Sequence, residues 1–142
     1  MHAGSWVSDS FAALYDSHIP EWRRDSGALE LRSTIPLEEI QQARQESKFQ
    51  LLEEVKQRTG LTLDPSMMTI RFARWAATYK RADLPFDDIR RLKRITRKVG
   101  PIQVLYAGKA HPADRPSKDL IRRVFQAAET SRDNVRVIYL EN

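Results

Sequence analysis

Two short segments carry the residue types that hold anions. The first is Arg74-Trp75-Ala76-Ala77-Thr78-Tyr79-Lys80-Arg81. The second is Ala107-Gly108-Lys109-Ala110-His111-Pro112-Ala113-Asp114. Arginine and lysine grip phosphate through charge-assisted hydrogen bonds. Converging near helix N-termini, with a glycine at one turn, they point to a phosphate or phosphate-ester site. The competing reading is that Arg74, Lys80 and Arg81 are solvated charges at the start of a helix. Other chemistries find less support. Gly108-Lys109 is not a P-loop, because the upstream glycine position is Gln103 and the Ser/Thr position is Ala110. No cysteine is present, which excludes thiolate metal sites and cysteine nucleophiles. His2, His18 and His111 share no metal-ligand spacing. No Gly-x-Ser-x-Gly elbow occurs. Asp87 and Asp88 are adjacent, so on a helix they point apart, and they read as charges at a helix start. Trp6 and Trp22 read as core or interface anchors, chiefly core, rather than a sugar-stacking platform.

These segments need elements to position them. Met68, Ile70 and Phe72 alternate with polar or small residues, a strand pattern. Ile102–Ala107 and Val135–Leu140 are two further strand-like runs. Between the first two, Phe86, Ile89, Leu92, Ile95 and Val99 recur at helical spacing. Between the second and third, Leu120, Ile121, Val124, Phe125 and Ala128 do the same. The order strand, helix, strand, helix, strand predicts parallel strands joined by right-handed crossovers. In such sheets ligands bind beyond the carboxyl ends of the strands. Both basic segments fall there, and Glu141-Asn142 follows the third strand. Upstream, a helix is expected over Asp9–His18, ended by Pro20. Arg23–Ser33, polar and containing Gly27, reads as loop. A long, largely exposed helix is expected from about Pro36 to Thr59, with Gly60 as its stop. The predicted fold class is α/β: N-terminal helices followed by a βαβαβ half of a Rossmann-like parallel sheet. Residues 1–65 are expected to form a helical lead-in segment and 66–142 a partial Rossmann-like domain.

The 142 residues suit one domain at ~150 residues each. Charge is unevenly spread. Residues 1–65 hold 7 Lys+Arg and 11 Asp+Glu, whereas 66–142 hold 17 and 8. Such asymmetry suggests that the second part faces an anion. No apolar run approaches the ~20 residues of a membrane span, and no signal peptide is visible in Met1-His2-Ala3-Gly4-Ser5-Trp6. A cytoplasmic protein with no membrane partner is expected.

The same loops resemble hallmark segments of the bacterial α-glucan (glycogen or starch) phosphorylases. The resemblance lies in Thr69-Ile70-Arg71-Phe72-Ala73-Arg74-Trp75-Ala76-Ala77-Thr78-Tyr79-Lys80-Arg81-Ala82 and in Tyr106-Ala107-Gly108-Lys109-Ala110-His111-Pro112-Ala113-Asp114, with Lys118 beyond it. It continues in Arg136-Val137-Ile138-Tyr139-Leu140-Glu141-Asn142. His2-Ala3-Gly4-Ser5-Trp6-Val7-Ser8 and Leu14-Tyr15-Asp16 are similar to that family too. The resemblance implies a fold of two Rossmann-like domains with the active site between them, this chain being the start of the second. It implies a glycosyltransferase that converts α-1,4-glucan and phosphate to glucose 1-phosphate, with pyridoxal phosphate as cofactor. In the family the cofactor lysine lies downstream of the Leu-Glu-Asn segment, so this chain is expected to lack it and to be inactive alone. The partners implied are phosphate, glucose 1-phosphate, α-glucan and the remainder of a phosphorylase chain.

Carried over by position, the resemblance makes Lys80 the contact to the substrate phosphate and Arg74 the contact to the cofactor phosphate. Tyr79, Arg81, Gly108 and Lys109 are further loop contacts. The position after Arg74 is usually a second arginine. Here it is Trp75, and an indole cannot replace a bidentate guanidinium. The alternative class is a non-catalytic module that binds a phosphate ester or nucleic acid through the basic 66–142 half, chiefly along Arg90–Lys98. No groove-reading motif or base-stacking set accompanies that helix, so a solvated helix back is the better account and a nucleic-acid partner is not expected.

Overall fold

The computed structural model describes residues 3–74, 76–108 and 113–140. The chain divides into two compact units, 1–62 and 63–142. The first unit is built on α1 (Asp9–His18) and α2 (Leu37–Thr59). Ser8 caps α1, and its hydroxyl also meets that of Ser47 on α2 at 2.6 Å. Ile19, the residue before Pro20, is extended and closes α1. α2 begins after Pro36 with Glu38 and Glu39 in its first turn, where carboxylates complement the helix dipole. Its end is a left-handed cap at Gly60 (φ 70°), whose N–H reaches the Lys56 carbonyl at 2.8 Å.

The core of this unit gathers Leu14, Ile19, Trp22, Ile35 and Ala43. Trp22 is buried at 2% exposure, and its indole N–H donates to Asp16 Oδ1 at 2.8 Å, which removes the cost of burying that donor. Trp6, expected in the core, is 73% exposed. It lies before α1, where no amphipathic stripe directs it inward. Leu37, at the start of α2, is likewise exposed. Arg23–Ser33, expected as loop, largely enters a 3-10 helix over Ser26–Thr34. Asp25 starts it by accepting from Gly27 N–H at 2.8 Å, and the i→i+3 pattern tolerates the polar composition.

The second unit is a parallel sheet of β1 (Met68–Ala73), β2 (Ile102–Ala107) and β3 (Val135–Leu140), in that spatial order. α3 (Ile89–Val99) and α4 (Arg115–Thr130) are the crossovers. The register sets Ile70, Val104 and Val137 side by side, then Phe72, Tyr106 and Tyr139 two residues on. Residues two apart share a face. This face forms the core with Phe86, Ile89 and Leu92 before and on α3, and with Leu120 and Val124 on α4. Phe72 and Tyr106 rings lie 5.6 Å apart. β2 is buried along nearly its whole length, as a central parallel strand should be.

Gln103, on the opposite face of β2, is 1% exposed, yet every polar atom of its side chain is used. Its Oε1 accepts from Asp64 N–H at 2.8 Å. Its Nε2 donates to the Asp64 carbonyl at 2.8 Å and to Thr69 Oγ1 at 3.1 Å. The amide therefore ties the lead-in to β1 onto β2. Among the described residues no helix is long and apolar enough to cross a membrane.

Candidate functional site

The carboxyl ends of the three strands open onto one small hollow. Its lining includes Phe72 and Arg74 at the end of β1, Ala76 and Ala82 beyond it, Tyr106 and Gly108 at the end of β2, and Tyr139 on β3. It encloses about 20 Å³, space for about one water molecule.

After β1 the chain does not enter a helix at once. Thr78–Lys80 form a 3-10 turn, with Lys80 N–H on the Ala77 carbonyl at 2.9 Å. Arg81 closes the turn in the left-handed region, at φ 51° and ψ 51°. Lys80 is half-buried, and its ammonium stands 5.5 Å from the centre of the Tyr79 ring, within cation–π range. Tyr79 itself is 80% exposed. Arg81 turns to Asp87 at 3.3 Å. Arg74 is exposed at the lip of the hollow.

The turn is held from below. The hydroxyl of Tyr106 donates to the Ala82 carbonyl at 2.6 Å, a bond buried on both sides. Burial, with Asp83 adding its negative charge, pushes the Tyr106 hydroxyl up to about 12. It keeps its proton and stays a donor throughout the neutral range. One strand over, the hydroxyl of Tyr139 donates to the carbonyl of Gly108. The Tyr139 ring lies 6.0 Å from that of Phe125 on α4. Gly108 has φ 151°, where a side chain would strain the backbone.

The structure brings Arg74 and Gly108 to one hollow. Lys80, Tyr79 and Arg81 belong to the adjoining turn and do not line it. Lys109 and Trp75 lie outside the described residues. At the helix N-termini the structure places aspartates. Asp88 caps α3, its carboxylate accepting from Arg91 N–H at 2.8 Å. Asp114 caps α4, accepting from the N–H and the hydroxyl of Ser117. Each helix end thus already holds a carboxylate of its own chain. Among the described residues no group of three His, Asp or Glu is placed to hold a metal ion.

Reading by residue type missed Tyr106 and Tyr139. A signal existed: each is the last core-facing residue of its strand, and the two strands run in register.

No family model matches the chain. Among curated proteins it is 33% identical to the glycogen phosphorylase of Aquifex aeolicus, over the whole of this chain and 24% of that protein. It is 30% identical to the maltodextrin phosphorylase of Thermococcus litoralis, over the whole chain and 19% of that protein. With the glycogen phosphorylase of Mycobacterium tuberculosis it shares 40% identity over 80 residues, 56% of this chain and 9% of the relative. The chain spans less than a quarter of the length of these relatives.

Proposed function

This chain matches a stretch of the α-glucan phosphorylases along its whole length, and we propose that it supplies phosphate-binding loops to such an enzyme. The activity proposed for the whole is cytoplasmic phosphorolysis of α-1,4-glucan to glucose 1-phosphate. The observation that carries the reading is the meeting of the β1 and β2 loops at the carboxyl end of a parallel sheet, with Arg74 and Gly108 on one hollow and Lys80 in the adjoining turn. That is where an open α/β sheet binds its ligand.

Within this reading each residue has a task. Lys80 holds the substrate phosphate as a compact charge whose direction is restrained by Tyr79. Arg74 holds the phosphate of the cofactor. Gly108 lets the β2 loop turn without a side chain at its bend. These residues suit the phosphate end of pyridoxal phosphate, because Arg74 and Lys80 offer positive charge and hydrogen-bond donors. The cofactor's phosphate supplies the acid–base chemistry of the family when bound. This chain supplies charge and position, and we propose that alone it is inactive.

The test is an NMR titration of the 142-residue chain with inorganic phosphate and glucose 1-phosphate. Saturable shifts confined to residues 74–82 and around Gly108 are expected. Shifts spread over the basic α3 instead, from Arg90 to Lys98, would replace this reading with general anion attraction.

A further inference from the structure

We infer that Tyr106 and Tyr139 are positioning residues of this site, each holding through its hydroxyl the loop that follows the preceding strand. Tyr106 on β2 holds the β1 loop at Ala82, and Tyr139 on β3 holds the β2 loop at Gly108. The inference rests on the proposed phosphate site and deepens it.

Three observations support the assignment. First, the two tyrosines occupy equivalent places. They are register partners across β2 and β3, at the last core-facing position of each strand. Phe72 completes the row on β1 and makes a ring contact with Tyr106. The row forms an aromatic floor whose rings are fixed by packing, so the hydroxyls have little freedom of their own. Secondly, both acceptors are carbonyls in irregular backbone. Ala82 follows the left-handed residue Arg81, and Gly108 has a conformation strained for other residues. Neither carbonyl belongs to a strand ladder or an α-helix. Each hydroxyl therefore gives its carbonyl a partner from the sheet that regular secondary structure does not supply. Thirdly, the span from the held atom to the anion-binding groups is short. Lys80 is two residues from Ala82, with Arg81 N–H bonded to the Thr78 carbonyl at 3.1 Å between them. An aromatic ring without a hydroxyl would fill the same space and leave both carbonyls unheld.

The stabilities of the strands and of the loops are therefore separable. Replacing Tyr by Phe keeps the ring in the core and removes the hydroxyl that makes the tie. Tyr106→Phe and Tyr139→Phe are compared with the unaltered chain by amide hydrogen exchange and by the phosphate titration. For Tyr106→Phe, exchange at Lys80 and Arg81 is expected to quicken about fivefold, the worth of one neutral hydrogen bond. Amides of β2 should be unchanged, and phosphate should bind about fivefold more weakly by the same measure. For Tyr139→Phe the same changes are expected around Gly108. Uniformly faster exchange over the sheet, or unchanged loop exchange with unchanged phosphate binding, would overturn the inference. Absence of phosphate shifts in the unaltered chain would sink the phosphate reading instead. The exchange pattern still decides in that case whether the hydroxyls order the loops. Tyr139 is half-buried, so its variant tests the idea even where the variant of buried Tyr106 fails to fold.

Discussion

Replacing Lys80 by alanine separates a built phosphate site from the pull of a basic protein. The chain carries a net charge of +5, and removing any lysine lowers it by one. If phosphate merely neutralises the protein, every lysine should count alike. A site predicts otherwise. At 4 Å two unit charges attract by about 1 kcal/mol in water and about 4 kcal/mol at the effective dielectric of a protein surface. Lys80 is half-buried and leans on Tyr79, so an intermediate value of about 2 kcal/mol applies, a factor of about 30 in Kd. Lys98 is the matched control. It is exposed near the end of α3, which runs back to the start of β2 and so away from the loops. At 1.5 Å per residue the 11 residues of α3 span roughly 16 Å, about two Debye lengths at physiological salt. Lys98→Ala should change phosphate affinity less than twofold on that screening argument. NMR titration at 0.15 M ionic strength, on the order of physiological salt, measures both. Equal weakening by the two substitutions would refute the argument, because position would then carry no weight.

Two further perturbations test the fold beneath the site. Gln103→Leu removes three hydrogen bonds worth about 1 kcal/mol each, and water at the exposed Asp64 recovers part of them, so a loss of about 2 kcal/mol is expected. It should appear as a lower urea midpoint at unchanged slope, and an unchanged midpoint would deny the amide its role. Asp16 accepts from Arg23 and from Trp22, and these bonds hold its carboxyl below the usual carboxylate range. A depressed carboxylate stabilises the fold above its unfolded pKa of ~3.9 and ceases to do so as pH falls through the folded value. Asp16→Asn should therefore flatten the acid limb of a melting-temperature profile below about pH 4, and an identical acid limb would count against the carboxylate.

The main elements were legible because their signals are local. Alternation marked β1 and short apolar runs marked β2 and β3, proline and glycine marked the ends of α1 and α2, and 3.6-residue spacing marked α3 and α4. The 3-10 helix over Ser26–Thr34 was not, since serine and glycine in a polar stretch also describe a loop. Trp6 misled because size and apolarity do not say which way a residue before the first helix faces. At the site, residue types pointed to the carboxyl ends of the strands, where the hollow with Arg74 and Gly108 lies. Spacing alone did not show that Arg81 would pair with Asp87, nor that Lys80 would sit in a 3-10 turn apart from the hollow. The cap at Asp114 could have been read. An aspartate three residues before Ser117, with proline between, is a helix-start signature.

Those caps decide how an anion can be held. A helix N-terminus attracts phosphate because its first N–H groups lack partners and its dipole is positive there. In α3 and α4 an aspartate has taken that place, satisfying an N–H group and adding a full negative charge. A phosphate approaching either end would meet a carboxylate. On the proposed reading, recognition therefore falls to side chains in the loops, Lys80 and Arg74. Side chains on loops are less firmly placed than the backbone of a helix end. A site of this kind depends on what fixes its loops, and among the described residues the two tyrosine hydroxyls tie loop carbonyls to the sheet below. On this reading the hydroxyls, which never touch the phosphate, add about fivefold each to a binding strength set first by the cations that do.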